Sequence, residues 1–388
     1  MINHIKNYKM YKSVFLLIIS FLFITSCSGK KTVEQVKSVQ NTKSGYKVET
    51  FVENLEVPWS IVFTDSSRIL VNERPGRMRV ILNGKLVDQP FKIFPDIQSD
   101  AEEGLMGLTP APDYKTSRIM YTSYAYKKAN DYGDFNVKVV RFKDNGNSIS
   151  DETVILDGIP ASHLHCGCRI KFGPDGKLYV TTGDATKREI AQNINILGGK
   201  ILRINADGSY PGDNPFANSP VWCYGNRNPQ GIDWYPGTDI LWETEHGPSG
   251  FDGPEGGDEV NIIYKGKNYG WPIVHHRDHK DGMEDPVLEF TPAEAPASGM
   301  FYRSGVIAEF KNNFFFGCLV GNGIIRVVID PNDPTKVISH EKLFTEYGRI
   351  RDIAEGPDGA IYFGTSNRDG RGKIREGDDK IYKISIQK

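Results

Sequence analysis

The chain has 388 residues, 25% of them charged, and its 47 Lys and Arg against 49 Asp and Glu leave a formal charge of −2. That balance excludes a dedicated nucleic-acid binder, which needs a basic surface to displace counterions. The 40 Gly and 22 Pro, among many Tyr and Phe, suit short strands joined by turns; the length is too great for most single-core folds but fits a repeat architecture.

The first predicted element is an export signal. Lys6, Lys9 and Lys12 precede an apolar run over 14–24 that is short for a spanning helix. The run ends Ile24-Thr25-Ser26-Cys27, which resembles a bacterial lipobox. Residues 1–27 are therefore expected to be a lipoprotein-type signal peptide ending at Cys27. Acylation there would anchor the mature chain to a membrane; a plain secretory signal or a short anchor is the alternative. Residues 28–44, rich in Lys, Ser, Thr and Gln, are expected to be a flexible tether. The destination is the periplasm or cell envelope, an oxidising compartment. Cys166, Cys168, Cys223 and Cys318 are then disulfides or buried thiols, because no Cys-x-x-Cys pair offers a zinc site.

Residues 45–388 carry a weak repeat of a turn followed by an apolar strand. Its clearest copies are Gly173-Pro174-Asp175-Gly176-Lys177-Leu178-Tyr179-Val180 and Gly356-Pro357-Asp358-Gly359-Ala360-Ile361-Tyr362-Phe363. Looser copies place strands at Ile69, Ile119, Ile240 and Phe314, with a mean step of about 58 residues, slightly longer than kelch-type blades. Pro fixes φ in these turns and Gly accepts positive φ. Six such units with little helical periodicity predict an all-β, six-bladed β-propeller; a pair of β-sandwiches is the alternative. Loops from different blades would meet at one mouth of the central channel.

His165, in a glycine-containing turn, is a candidate base, and Asp184, one strand later, a candidate partner carboxylate. The bland reading is a turn histidine bonded to a carbonyl. Arg227 and Asn228 offer planar donors for a flat, polar or carboxylated ligand, or merely brace their loop. Gly247 and Pro248 begin a glycine-rich turn whose carbonyls are the hard oxygens that calcium accepts, though no EF-hand acid pattern is present. Arg349 and Arg351 alternate along a strand-like segment and point to one face. They need an anion, or acids such as Asp352, to neutralise them. Trp271 reads as core packing.

These pieces stand in an order that resembles the glucose/sorbosone dehydrogenase family over roughly residues 46–388. The resemblance rests on Val57-Pro58-Trp59, Asn72-Glu73-Arg74-Pro75-Gly76-Arg77, Gly104-Leu105-Met106-Gly107-Leu108, the His165 turn, Gly199-Lys200-Ile201-Leu202-Arg203 and Asp213-Asn214-Pro215-Phe216. It continues through Gly225-Asn226-Arg227-Asn228-Pro229-Gln230-Gly231, Glu245-His246-Gly247-Pro248, Asn268-Tyr269-Gly270-Trp271-Pro272 and Arg349-Ile350-Arg351-Asp352. It implies a propeller that binds pyrroloquinoline quinone (PQQ) and Ca²⁺ at the channel mouth and oxidises aldose sugars at the anomeric carbon. In that reading His165 is the base, Asp184 its support and Arg227 the stabiliser of charge on the quinone oxygen. Glu102, Asn228, Arg349 and Arg351 hold the quinone, and the carbonyls of Gly247 and Pro248 bind calcium. The electron acceptor is unknown.

The chain departs from the family in three places. Glu102 stands where the family often has Gln, Cys166 and Cys168 flank the base's turn, and Gly321-Asn322-Gly323 stands where some members have a lysine. Two other functions remain open: a catalytically silent propeller that binds glycans or a protein, and a calcium-dependent lactonase-like hydrolase. A nicotinamide enzyme is excluded by the lack of a Gly-x-Gly-x-x-Gly loop.

Overall fold

The computed structural model describes residues 37–40 and 45–387. The signal peptide, Cys27 and most of the tether lie outside these residues. Within the expected tether, Lys37–Gln40 is a strand paired in parallel with Asp333–Leu343.

Six antiparallel sheets follow one another along the chain, each starting with the strand that lines the channel. Those inner strands are Pro58–Phe63, Leu105–Pro110, Gly167–Phe172, Pro229–Trp234, Pro296–Phe301 and Ile350–Glu355. Each packs on the next, and the sixth packs on the first, so the ring closes as the expected six-bladed propeller. The closure is also covalently staggered. Tyr46–Val52, at the start of the domain, is the outer strand of the sixth blade and pairs antiparallel with Ile381–Ile386 at its end. Opening the ring therefore requires peeling Tyr46–Val52 away from Ile381–Ile386.

One apolar cluster fills each of the six gaps between blades. Between the second and third blades, for example, Met106, Tyr121 and Val139 meet Ile170, Val180 and Leu202, all buried. The sequence repeat marks equivalent places in two blades. Tyr179 donates to Asp175 Oδ2 at 3.0 Å, and Tyr362 donates to Asp358 Oδ2 at 3.1 Å. Each bond staples the Pro-Asp-Gly turn to the strand it starts. Near the axis the inner strands pass so closely that a Cβ on Gly107 would lie 2.6 Å from the carbonyl oxygen of Cys168. Glycine there lets neighbouring inner strands pack in direct contact.

Candidate active site

The segments that lead into the inner strands converge at one end of the channel around a cavity of about 510 Å³. His165, Glu102, Arg227, Arg349, Arg351, Gly247 and Pro248, from four blades, all line it. The sequence therefore pointed to one place.

His165 holds the left-handed backbone conformation (φ 60°), unusual for a side chain other than Gly or Asn, in the turn that enters the third blade. Its Nδ1 is 2.7 Å from Asp184 Oδ1. Asp184 follows the next strand, and Gly183 lets the two turns touch: a Cβ there would lie 1.8 Å from the His165 carbonyl oxygen. Asp184 is fully buried, and each of its oxygens has a donor. Oδ1 also accepts from the Thr186 amide at 2.8 Å, and Oδ2 accepts from the Trp271 indole at 2.7 Å. The ring of Phe251, 60% exposed at the mouth, stacks near His165 with 5.9 Å between centroids.

The arginines differ in how far they are already neutralised. Arg227 is already engaged on three sides. Its Nε bonds Asp252 Oδ2 at 2.8 Å, and its two terminal nitrogens donate to the His246 carbonyl and the Ser249 hydroxyl, both at 3.1 Å. Arg349 pairs with Asp369 at 2.7 Å. Arg351 donates only to Gln230 Oε1 at 3.2 Å, and its buried Nε has no partner. Burial pulls the Arg351 guanidinium down to about 10, so it stays charged at neutral pH. The buried Nε of Arg74 is likewise without a partner. Asp352, expected to neutralise Arg349 and Arg351, turns to the other side of the strand and pairs with Arg169 at 3.0 Å.

Asn228 braces the wall of the cavity. It is fully buried behind the cavity wall, and its Oδ1 accepts from the Gly167 amide and from Gln230 Nε2, both at 3.0 Å. It thereby fixes the turn that carries His165. Glu102 accepts from Arg371 at 2.9 Å and from the His165 amide at 3.3 Å. Burial opposes its ionisation, but His246, His165, Arg371 and Arg351 outweigh that and hold it below the usual carboxylate range.

The turn at Gly247 and Pro248 is shaped by Asp258. Its Oδ1 accepts from the Gly247 amide at 2.8 Å, and its Oδ2 from the Glu294 and Ala295 amides at 2.7 and 2.6 Å. Behind the turn stand the buried carboxylate Glu245 and the partly buried Glu259. Burial pushes Glu245 up to about 7; burial and then the Glu245 charge push Glu259 well above the usual range. This region therefore holds more oxygen than positive charge. Cys166, Cys168, Cys223 and Cys318 are all free and buried, which decides between the two states the sequence allowed.

Four neighbours escaped the sequence reading. Arg74 lay inside a quoted motif but carried no role, and Arg371 lay outside every motif. Asp252 and Phe251 sit in the glycine-rich turn that begins at Gly247, where neither carried a role. Trp271, read as core, reaches the site by its indole N–H.

Comparison with known proteins agrees with this geometry. The profile of the Glucose / Sorbosone dehydrogenase family matches residues 55–376. The aldose sugar dehydrogenase YliI of Escherichia coli K12 is 31% identical over 345 residues, covering 83% of this chain and 91% of that protein. The quinoprotein glucose dehydrogenase B of Acinetobacter calcoaceticus is 26% identical over 427 residues, covering 86% and 87%. The PQQ-bound aldose sugar dehydrogenase of Streptomyces coelicolor superposes with a TM-score of 0.76 at 28% identity, covering 90% of this chain and all of that one. The profile match over residues 55–376, with 31% identity to YliI, places this chain in the glucose/sorbosone dehydrogenase family.

Proposed function

We propose that this protein oxidises aldose sugars at the anomeric carbon to lactones, with PQQ and Ca²⁺ as cofactors. The observation that carries the reading is the His165–Asp184 pair, 2.7 Å from Nδ1 to Oδ1, in the wall of an arginine-rich cavity of about 510 Å³. Asp184 accepts the proton on Nδ1 and leaves Nε2 as the basic nitrogen. That nitrogen takes the proton of the anomeric hydroxyl, and the buried carboxylate supports the imidazolium that results.

The wall suits a flat ring that carries carboxylates. The unpartnered Nε atoms of Arg74 and Arg351 are donors in need of acceptors. These two residues, with Arg349, would hold the carboxylates. Arg227, tied to Asp252, would stand at the quinone oxygen. The carbonyls of Gly247 and Pro248, near the carboxylate-rich back wall, would hold calcium. When bound, PQQ supplies the hydride acceptor and calcium the Lewis acid that polarises it. Glu102 sets the position of Arg371 at the rim. Export through the signal at 1–27 and an acyl anchor on Cys27 would keep the enzyme in the cell envelope. The described residues contain no helix long and apolar enough to cross a membrane.

The test is reconstitution with PQQ and Ca²⁺ followed by dye reduction with a panel of aldoses. At least one aldose should bleach the dye; none doing so removes the reading. Cys27→Ser should move the protein from the membrane fraction to the soluble envelope fraction.

A further inference from the structure

We infer that Trp271 is a positioning residue that locks the base pair and the guanidinium into one frame, with its indole N–H on Asp184 and its ring face against Arg227. The inference rests on the dehydrogenase reading for its kinetic arm, and on geometry alone for the rest. Trp271 is 4% exposed and does not line the cavity, so it acts through its neighbours and not on substrate.

An indole nitrogen can only donate. Here it donates to Asp184 Oδ2 at 2.7 Å. The other oxygen, Oδ1, is shared by His165 Nδ1 and the Thr186 amide. A carboxylate rotates easily about its last torsion. Without the indole, Oδ2 would be a buried acceptor with no donor, and the group would turn to share its remaining partners. The indole therefore fixes the plane in which the imidazole meets its carboxylate. The same ring lies 5.4 Å from the Arg227 guanidinium carbon, a cation–π separation.

The Trp271 backbone repeats the connection. Its amide donates to the Gly225 carbonyl at 2.9 Å, two residues before Arg227. Its carbonyl accepts from Gln192 Nε2 at 2.6 Å, in the loop that follows Asp184. Both loops are thus referenced to one residue of the fourth blade, through side chain and main chain alike.

The test is Trp271→Phe, which keeps a ring for Arg227 and deletes the N–H. In the PQQ- and Ca²⁺-loaded enzyme, kcat should fall roughly 10- to 100-fold with KM within about 2-fold, because orientation of the base is lost and sugar contacts are not. In an Asp184→Asn background the same substitution should add little, since both act through one imidazole. An unchanged kcat in Trp271→Phe, or full additivity with Asp184→Asn, overturns the inference.

A second arm needs no turnover. The chain has 5 Trp, hence five indole N–H signals in a ¹⁵N correlation spectrum. Asp184→Asn should move the strongly hydrogen-bonded one, which a Trp271→Phe spectrum assigns by its loss. If no indole signal moves, the inference fails. If wild type oxidises no aldose yet the signal moves, the dehydrogenase reading fails and the contact stands.

Discussion

The channel of this propeller has a cavity at each end, about 510 Å³ at the loop mouth and about 520 Å³ at the far mouth. Size does not separate them; the state of their charges does. At the far mouth Asp233 lies between Lys171 and Arg303, 2.8 Å from each, and Asp352 holds Arg169 at 3.0 Å. Arg169 keeps one unpartnered nitrogen there, but its charge is matched. At the loop mouth the buried Nε atoms of Arg74 and Arg351 have no acceptor, and a histidine faces the space with its carboxylate behind it. A structural mouth matches its own charges. A functional one leaves some of them for a ligand.

The largest effect should come from the base. His165→Ala should lower turnover about 1,000-fold, within the range a general base supplies, while the absorbance of bound quinone is retained. Lys171→Met at the far mouth should change kcat by less than about 2-fold, the size of an effect that adds nothing to transition-state binding. Equal losses in the two variants would mean that the mouths were misassigned.

Next in size is cofactor retention. Arg351→Ala should weaken PQQ binding roughly 10- to 100-fold in a quinone absorbance titration, because a desolvated charge-assisted bond is removed. Arg303→Ala should leave that titration unchanged. The two arginines are similarly charged and differ in partners, so the pair isolates the variable that distinguishes the mouths.

The comparison reverses for stability. Burial opposes ionisation of Asp233, but the charges of Lys171 and Arg303 prevail and hold it down at about 2. A depressed carboxylate stabilises the fold above its unfolded pKa, near 4, and loses that contribution as the pH falls toward 2. Two units of depression correspond to on the order of 2 kcal/mol. Asp233→Asn should therefore lower the midpoint of urea unfolding at pH 7, flatten the acid limb between pH 4 and 2, and spare kcat. A steep acid limb retained in the variant would show that other carboxylates dominate it.

The difference between the mouths also explains what the sequence made legible. The turn motif at 173–176 and 356–359 was readable because its function is local: Pro, Asp and Gly shape four residues, and a Tyr four positions after the Asp closes the staple. His165 and Asp184 were readable because one hairpin brings them together. Arg227 was found but its state was not. Asp252 reaches it across a glycine-rich loop whose path no pattern fixes. The bracing bonds of Asn228 were hidden for a related reason. Its neighbour faces the cavity while its own amide faces Gly167, and alternation in an irregular loop cannot be counted from sequence. Trp271 looked like core because it is buried; the bond its nitrogen makes depends on a blade 87 positions earlier. The far mouth was invisible, since its ion pairs join residues of the third, fourth and fifth blades.

The smallest effect tests whether the loop mouth is tuned as well as built. Glu102 is an ionised acid on a wall otherwise suited to anions, and it neutralises Arg371 from 2.9 Å. Glu102→Gln removes one negative charge from the wall and frees one guanidinium, and both changes favour a carboxylated ligand. Its amide oxygen can still accept from the His165 amide, so the turn that carries the base is kept. The site is partly solvated at this rim, with the Arg371 side chain 57% exposed, so screening limits the gain. PQQ should bind about 2- to 5-fold more tightly, on the scale of one partly screened charge, with kcat unchanged and the gain shrinking as salt is raised. Weaker binding in Glu102→Gln would assign the carboxylate to the metal side of the site, where its charge is needed.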